Sequence, residues 1–313
     1  MIEENVLIKG KVNIGATVSY IDKDKVSPAI IIITGSGEAD RDGNISGLKT
    51  DIYKDLAELF VSFGCVVIRY DKRGVNESEG DYSTIGPSDL VKDASSVLMY
   101  AKTLKFVDKT KVIVCGHSEG AMIATILAGS EKTAGLLLLS GAGVCLHDVQ
   151  LYQNRLISQG AKKIKGFRGI GLRFQTSQKR ADANLKRLYE KCASAKGDTI
   201  TLDKTDLNAK WIREHGLYSS DDYVNMLIKY KKPVLAITGT ADVVMDYKIH
   251  DNLANVPNVE VYTPMSVNYI LREIDDDNNI FNSLAQYSRL SNQPIHSGTK
   301  NIMKEWISKN FIY

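Results

Sequence analysis

Apolar residues in this chain fall into short unbroken runs, separated by longer stretches with a 3.6-residue rhythm. Ala29-Ile30-Ile31-Ile32-Ile33, Cys65-Val66-Val67-Ile68-Arg69-Tyr70, Val112-Ile113-Val114-Cys115, Gly135-Leu136-Leu137-Leu138-Leu139-Ser140 and Pro233-Val234-Leu235-Ala236-Ile237-Thr238 are too short for helices and have no polar face. Such runs suit strands covered on both sides of a parallel sheet. Val259-Glu260-Val261-Tyr262 adds a last strand, and loose alternation over residues 5–20 predicts an antiparallel hairpin at one sheet edge. Between the runs, Ile52, Leu56, Leu59, Phe60 and Phe63 share a helix face behind a Thr50 cap. Leu90, Val91, Ala94, Val97, Leu98 and Ala101 share another, opened by Pro87-Ser88, and Pro294 precedes a terminal helix that buries Ile302, Met303, Trp306 and Ile307. Alternating strands and helices predict a mostly parallel, doubly wound α/β sheet.

The rhythm breaks between about residues 145 and 230, where the chain is helical and polar. From Gly160 to Ile200 there are eleven Lys/Arg against three Asp/Glu. The stretch reads as a helical cap, or lid, inserted over the C-terminal edge of the sheet. It divides the chain into a core of residues 1–144 and 231–313 and a cap of residues 145–230. A solvated helix face accounts for such a cluster of cations, and attraction of an anionic substrate is the functional alternative.

Composition narrows the class further. A chain of 313 residues can hold one large α/β domain, or one domain plus an inserted subdomain, and 43% hydrophobic with 25% charged residues is ordinary for a soluble globular protein. A net charge of +3 is too small to argue for nucleic acid, and no run reaches the roughly eighteen apolar residues that a membrane span needs. The start Met-Ile-Glu-Glu-Asn lacks the basic and apolar regions of a signal peptide, and Cys65, Cys115, Cys145 and Cys192 are too scattered for a disulfide or metal framework. The expectation is a cytoplasmic protein with reduced core thiols. Oligomeric state is not legible.

Candidate chemistry lies just past the Val112–Cys115 run. Gly116-His117-Ser118-Glu119-Gly120 fits G-x-S-x-G, followed by Ala121-Met122-Ile123-Ala124-Thr125-Ile126-Leu127-Ala128, a packed helix. A strand, a tight turn and a helix are the context in which this motif is a nucleophile elbow. The glycines remove β-carbons that would collide, leaving Ser118 in strained backbone at the apex, with its hydroxyl expected to be exposed above the sheet edge. An ordinary βα turn is the alternative. A serine hydroxyl is a poor nucleophile at neutral pH and needs a base, a carboxylate to orient that base, and donors for the oxyanion. Asp242, in Gly239-Thr240-Ala241-Asp242 past the 233–238 strand, is the acid candidate. Asp246, expected inside the next helix, is its rival, and a capping role is the plain alternative for an Asp at such a turn.

Together these segments resemble the α/β-hydrolase superfamily over nearly the whole chain outside the cap, and are most similar to bacterial serine hydrolases of the prolyl-oligopeptidase-like and acyl-esterase branches. The blocks that carry the resemblance are Gly35-Ser36-Gly37-Glu38-Ala39-Asp40-Arg41-Asp42-Gly43, Arg69-Tyr70-Asp71-Lys72-Arg73-Gly74, the elbow, and Gly239-Thr240-Ala241-Asp242. The resemblance implies an α/β-hydrolase fold, with oxyanion donors at the backbone N–H groups of Ser36 and Glu119. Asp71-Lys72-Arg73-Gly74 reads as architectural, a turn tied by charge.

The pattern departs at the base. The resemblance places the catalytic histidine in the loop after strand 259–262, in a pattern like Asn-His-x-Leu. Here the chain reads Val267-Asn268-Tyr269-Ile270-Leu271-Arg272, with Tyr269 where the histidine belongs. A phenol with a reference pKa of about 10 stays protonated at neutral pH and does not take the serine proton. The five histidines lie elsewhere: His117 in the elbow, His147 and His215 in the cap, His250 after Asp242, and His296 before the last helix. Each reads as a surface or packing residue, with His147 and His296 the alternative bases.

The expectation is therefore a serine hydrolase of the carboxylesterase type acting on a small-molecule ester or acyl bond, with no metal or organic cofactor. Its constellation is Ser118, Asp242, Tyr269 at the base position, Ser36 and Glu119. A peptidase or amidase would use the same constellation, and a non-catalytic binding module would keep the pocket without the base. Tyr269 itself leaves three readings open: a disabled relative, a slow hydrolase with another base, or a substitution in an active enzyme.

Overall fold

A computed structural model describes residues 1–164, 176–275 and 278–312. Lys165, Arg168 and Arg173 of the basic run lie outside them. Ten strands are present among the described residues: β1 (Ile2–Ile8), β2 (Ile14–Tyr20), β3 (Ser27–Ile33), β4 (Val66–Tyr70), β5 (Val107–His117), β6 (Gly135–Leu139), β7 (Thr199–Leu202), β8 (Thr205–Asn208), β9 (Val234–Ile237) and β10 (Val259–Tyr262). Eight of them form one sheet in the order β1-β2-β4-β3-β5-β6-β9-β10. β1 and β2 are antiparallel, as expected of the N-terminal hairpin, and from β4 onward the pairing is parallel.

The apolar runs are explained by the two faces of this sheet. Ile30, Ile32, Ile113, Cys115, Leu137 and Leu139 point to one face, packed by Leu56 and Phe60 of α1 (Ile52–Ser62) and by Met303 and Trp306 of the terminal helix Ser297–Ile307. Their neighbours Ile31, Ile33, Val112, Val114, Leu136 and Leu138 point to the other. There they meet Leu90, Ala94 and Leu98 of α2 (Pro87–Ala101) and Ile123 and Leu127 of α3 (Glu119–Ser130). A strand covered on both faces has no polar positions to alternate. Truncating one such side chain, Leu137→Ala for example, costs about 2–5 kcal/mol.

Between β6 and β9 the chain leaves the sheet. It forms α4 (Leu146–Lys163), α5 (Gln178–Ser194), the β7–β8 hairpin, α6 (Ala209–His215) and α7 (Ser220–Tyr230). Leu227 of α7 joins the core face that holds α3. The hairpin is a departure from the helical reading of this stretch. It turns on Asp203 (φ 49°) and Lys204 (φ 69°), a pair of left-handed residues without the glycine that usually marks such a turn.

Two further differences are local. Thr50 does not cap α1; its hydroxyl donates to the Gly43 carbonyl at 2.6 Å, and Asp51, at φ 49°, precedes the helix with no side-chain cap. A short helix absent from the sequence reading, α8 (Ser283–Leu290), precedes the terminal helix α9 (Ser297–Ile307) and brings Tyr287 to the sheet's C-terminal end. Among the described residues no helix is long and apolar enough to cross a membrane, and all four cysteines are buried and unpaired.

Candidate active site

Ser118 sits between β5 and α3 at φ 57°, ψ −121°, a backbone conformation that side-chain-bearing residues rarely adopt. The turn is this sharp because glycines let backbone meet backbone. A β-carbon on Gly116 would lie 2.1 Å from the Gly120 carbonyl oxygen, and one on Gly120 would lie 2.1 Å from that of Ile33. The Ser118 N–H is held by the Leu139 carbonyl at 2.8 Å, so the turn is fixed to the neighbouring strand. The hydroxyl is not exposed as the motif suggests: Ser118 is only 6% accessible. A β-carbon on Gly35 would lie 3.0 Å from Tyr269 Oη, 3.2 Å from Ser118 Cβ and 3.3 Å from Tyr53 Oη. The loop after β3, the elbow and the Tyr269 turn therefore converge on one point.

Tyr269 is carried on a turn that its neighbours fix. The Asn268 N–H donates to the Arg272 carbonyl at 2.9 Å, the Arg272 N–H donates to Asn268 Oδ1 at 3.0 Å, and Asn268 Nδ2 donates to Gln286 Oε1 at 3.1 Å. The phenol stacks against Tyr287 with ring centroids 5.9 Å apart, and its hydroxyl faces the same point beside Gly35 as Ser118 Cβ. Burial pushes the phenol well above its ordinary range, Ser118 pulls it back, and the charges of Asp242 and Glu119 push it further up. Tyr269 is a protonated group at neutral pH.

Asp242 lies on the turn after β9, which is laced to the Tyr269 turn. The Thr240 N–H donates to the Pro264 carbonyl at 2.9 Å, the Ala241 N–H donates to that of Val267 at 3.1 Å, and the Ser266 N–H donates to Thr240 Oγ1 at 2.9 Å. Asp242 Oδ1 accepts from the N–H groups of Val244 (2.7 Å) and Met245 (2.9 Å), while Oδ2 is buried without a partner. Burial raises this carboxyl to about 6, against the pull of the Met245 N–H, the Ser140 hydroxyl and the Val244 N–H. The Val244 and Met245 bonds to Asp242 are of the capping kind, and Asp246 caps as well, rather than lying inside a helix. It starts a short 3₁₀ turn, Tyr247–Asn252, its Oδ1 accepts from the Lys248 N–H at 3.1 Å, and it pairs with Arg155 at 2.9 Å.

Glu119 is the first residue of α3, where a backbone N–H has no acceptor inside the helix. Its side chain is buried and fully engaged: Oε1 accepts from Trp211 Nε1 and His215 Nε2 (3.0 Å), and Oε2 pairs with Lys72 at 3.4 Å. Burial alone would raise this carboxyl, but the Lys72 ammonium, then His215 and Trp211, outweigh it and hold it at about 2. Ser36 and Gly37 are exposed, and the Lys72 ammonium donates to the carbonyls of Gly35 and Gly37, the latter at 2.9 Å. Tyr53 supports the same loop, its hydroxyl accepting from the Gly35 N–H at 2.7 Å. A cavity of about 690 Å³ opens beside this loop, between Ser36, Gly37, Tyr82, Leu207, Asn208 and Trp211. Its charged lining residues are Glu38 and Asp206.

None of the five imidazoles is hydrogen-bonded to Ser118. His117 lies beneath the site, its Nε2 donating to the Tyr269 carbonyl at 3.1 Å and its Nδ1 accepting from the Tyr53 hydroxyl at 3.0 Å. Burial drops it to about 4, against the pull of the Tyr269 carbonyl, so it stays neutral. His250 bonds Thr263, His296 caps α9 through Thr299, and His147 packs on Tyr189. His215, expected at a surface or in packing, is instead buried against Glu119. The structure thus brings Ser118, Tyr269, Asp242, Glu119 and the Ser36 loop to one end of the sheet. Sequence reading missed Tyr53, Tyr287, Trp211 and the reach of Lys72, because each is defined by a partner distant in the chain.

Residues 47–261 match the serine aminopeptidase S33 family of hydrolases. Among curated relatives, the esterase EstD of Thermotoga maritima is 32% identical over 122 residues, 39% of this chain and 29% of that protein. The polyketide transferase af380 of Aspergillus fumigatus is 32% identical over 88 residues, 28% of this chain and 30% of that one. The chain therefore matches less than a third of the length of either. Among solved structures, Est1E of Butyrivibrio proteoclasticus with ferulic acid bound is similar over 97% of this chain and 99% of its own, at 17% identity and TM-score 0.59. An α/β-hydrolase, GrgF of a Penicillium species, is similar over 100% of both chains at 11% identity and TM-score 0.59. At such identities these likenesses establish the fold, which is that of the α/β-hydrolases.

Proposed function

The chain belongs to the serine aminopeptidase S33 family of hydrolases, and on that premise we propose that it is a serine hydrolase of the carboxylesterase type acting on a small-molecule ester or acyl bond. Ser118 is the nucleophile, Asp242 the carboxylate that orients a base, and the N–H groups of Ser36 and Glu119 the oxyanion donors. Tyr269 stands where the base belongs. The observation that carries this reading is the convergence of Ser118 and the Tyr269 hydroxyl on one point beside Gly35, with a buried, unpartnered Asp242 Oδ2 on the adjoining turn. A group with two ring nitrogens would bond Ser118 and Asp242 together; a protonated phenol has one oxygen and is no base for Ser118. Acylation in this chain is accordingly slow, since Ser118 has no base.

The stretch 145–230 acts as a cap whose Trp211 closes the cavity beside Ser36. Among the described residues that cavity is lined by Glu38 and Asp206 and by no Lys or Arg, which favours an uncharged ester over an anionic one. The protonated phenol supports a second reading, a ligand-binding protein that keeps the pocket of a hydrolase. A fluorophosphonate probe separates the two. A hydrolase labels slowly at Ser118 in the native chain, at least about 10²-fold faster in Tyr269→His, and not at all in Ser118→Ala. A binding protein labels in neither the native chain nor Tyr269→His.

A further inference from the structure

We infer that Lys72 is a positioning residue of the oxyanion site, whose ammonium sets the direction of the Ser36 N–H. The inference rests on the serine-hydrolase reading above. Lys72 is 3% accessible, and its ammonium has three acceptors: the carbonyls of Gly35 and Gly37 and the Glu119 carboxylate. That uses all three of its N–H donors. The Gly35 carbonyl belongs to the same planar unit as the Ser36 N–H, and in a trans peptide the two point in opposite directions. Clamping the carbonyl toward Lys72 therefore turns the Ser36 N–H away from it, to the side where a substrate oxygen would bind. The second clamp, on the Gly37 carbonyl, holds the next bend of the loop, where Gly37 takes φ +94°.

The same ammonium is tied to the other donor. Its counterion is the side chain of Glu119, the residue that supplies the second oxyanion N–H. Glu119 is anchored from its other oxygen by Trp211 and His215 of α6. Both charges are almost fully buried. A buried pair of this kind adds little net stability over apolar residues of the same shape, so stability alone does not explain it. Holding two donors from two separate segments in one fixed geometry does explain it. Asp71 braces the far end of the loop in parallel, taking the Arg41 N–H at 2.7 Å and the Arg41 guanidinium Nε at 3.0 Å.

Lys72→Met removes the clamp but strands the Glu119 charge, which can unfold the chain. Lys72→Met/Glu119→Gln removes both charges and leaves an acceptor for Trp211 and His215. In a deuterated sample of the full chain, the backbone ¹⁵N order parameter of Ser36 should be about 0.85 in the native protein and below about 0.6 in the double variant. In the Tyr269→His background, the double variant should also lower the preference for an ester over its thionoester. Sulfur is a weak acceptor that gains little from the donors, and misaligning one donor costs on the order of 10²-fold in ester turnover. A folded double variant in which either readout is unchanged overturns the inference. Should the Tyr269→His chain turn over neither substrate, the hydrolase reading fails, and the ordering of Ser36 still decides the role of Lys72.

Discussion

Asp242 and Tyr269 stand on turns bonded backbone to backbone, yet Asp242 Oδ2 is buried without a partner while the Tyr269 hydroxyl faces Ser118 beside Gly35. The neighbours that place Tyr269, Asn268 and Arg272 among them, hold the turn without using the side chain at position 269. They would present any residue at position 269 in the same direction. On the proposed reading, the site is a frame of fixed geometry that holds a phenol where a base belongs.

The Asp242 carboxyl gives the first prediction. Its folded value near 6 lies above the ordinary 3.8, so the folded chain holds this proton more tightly than the unfolded one. The stabilising contribution is complete below about pH 4 and is lost as the pH rises through about 6. Asp242→Asn, which cannot ionise, should raise stability at pH 7 by about 1–3 kcal/mol and change it little at pH 4. Urea unfolding at the two pH values checks this. A gain that is equal at both would show that Asp242 is not a strained carboxylate.

Tyr53 gives the second. Its hydroxyl serves both the Gly35 N–H and His117 Nδ1. Tyr53→Phe leaves those two buried groups without partners, at a cost of about 1–3 kcal/mol. Denaturant midpoints should fall accordingly, with the slope unchanged. Stability equal to that of the native chain would mean that water or a shifted loop replaces the hydroxyl.

The third concerns charge. With Glu38 and Asp206 in the cavity wall, none of the described cations between Gly160 and Ile200 lines the pocket beside Ser36. For Tyr269→His, kcat/KM for an anionic ester should respond to salt no more than that for a neutral one. A fall confined to the anionic ester would restore the cap as an electrostatic guide.

What was legible in the chain was what is local. Gly116 and Gly120 reveal the sharp strand-to-helix turn because no other residue fits so close a turn, and Ile30 to Ile33 reveal a doubly covered strand because both faces are apolar. The β7–β8 hairpin was missed because Asp203 and Lys204 take left-handed backbone without glycine. The Thr50 cap was misread because its hydroxyl turns back to the Gly43 carbonyl, seven residues away. Tyr53 and Tyr287 were beyond reach for a different reason. Each comes from a segment far from Ser118 in the chain, and its meeting with His117 or Tyr269 leaves no periodic trace.

Tyr269→His is the most direct measurement of all. Loss of one triad member in a serine hydrolase costs on the order of 10⁴- to 10⁶-fold, so restoring one should raise kcat for a p-nitrophenyl ester by at least about 10²-fold. The pH–rate profile should gain a limb at roughly 6.5 to 7, where the new imidazole loses its proton. The gain should vanish in Tyr269→His/Asp242→Asn, since the imidazole would then lack the carboxylate that orients it. A Tyr269→His chain that folds and gains no turnover, or one whose activity instead depends on His147 or His296, would contradict the placement of the base at residue 269.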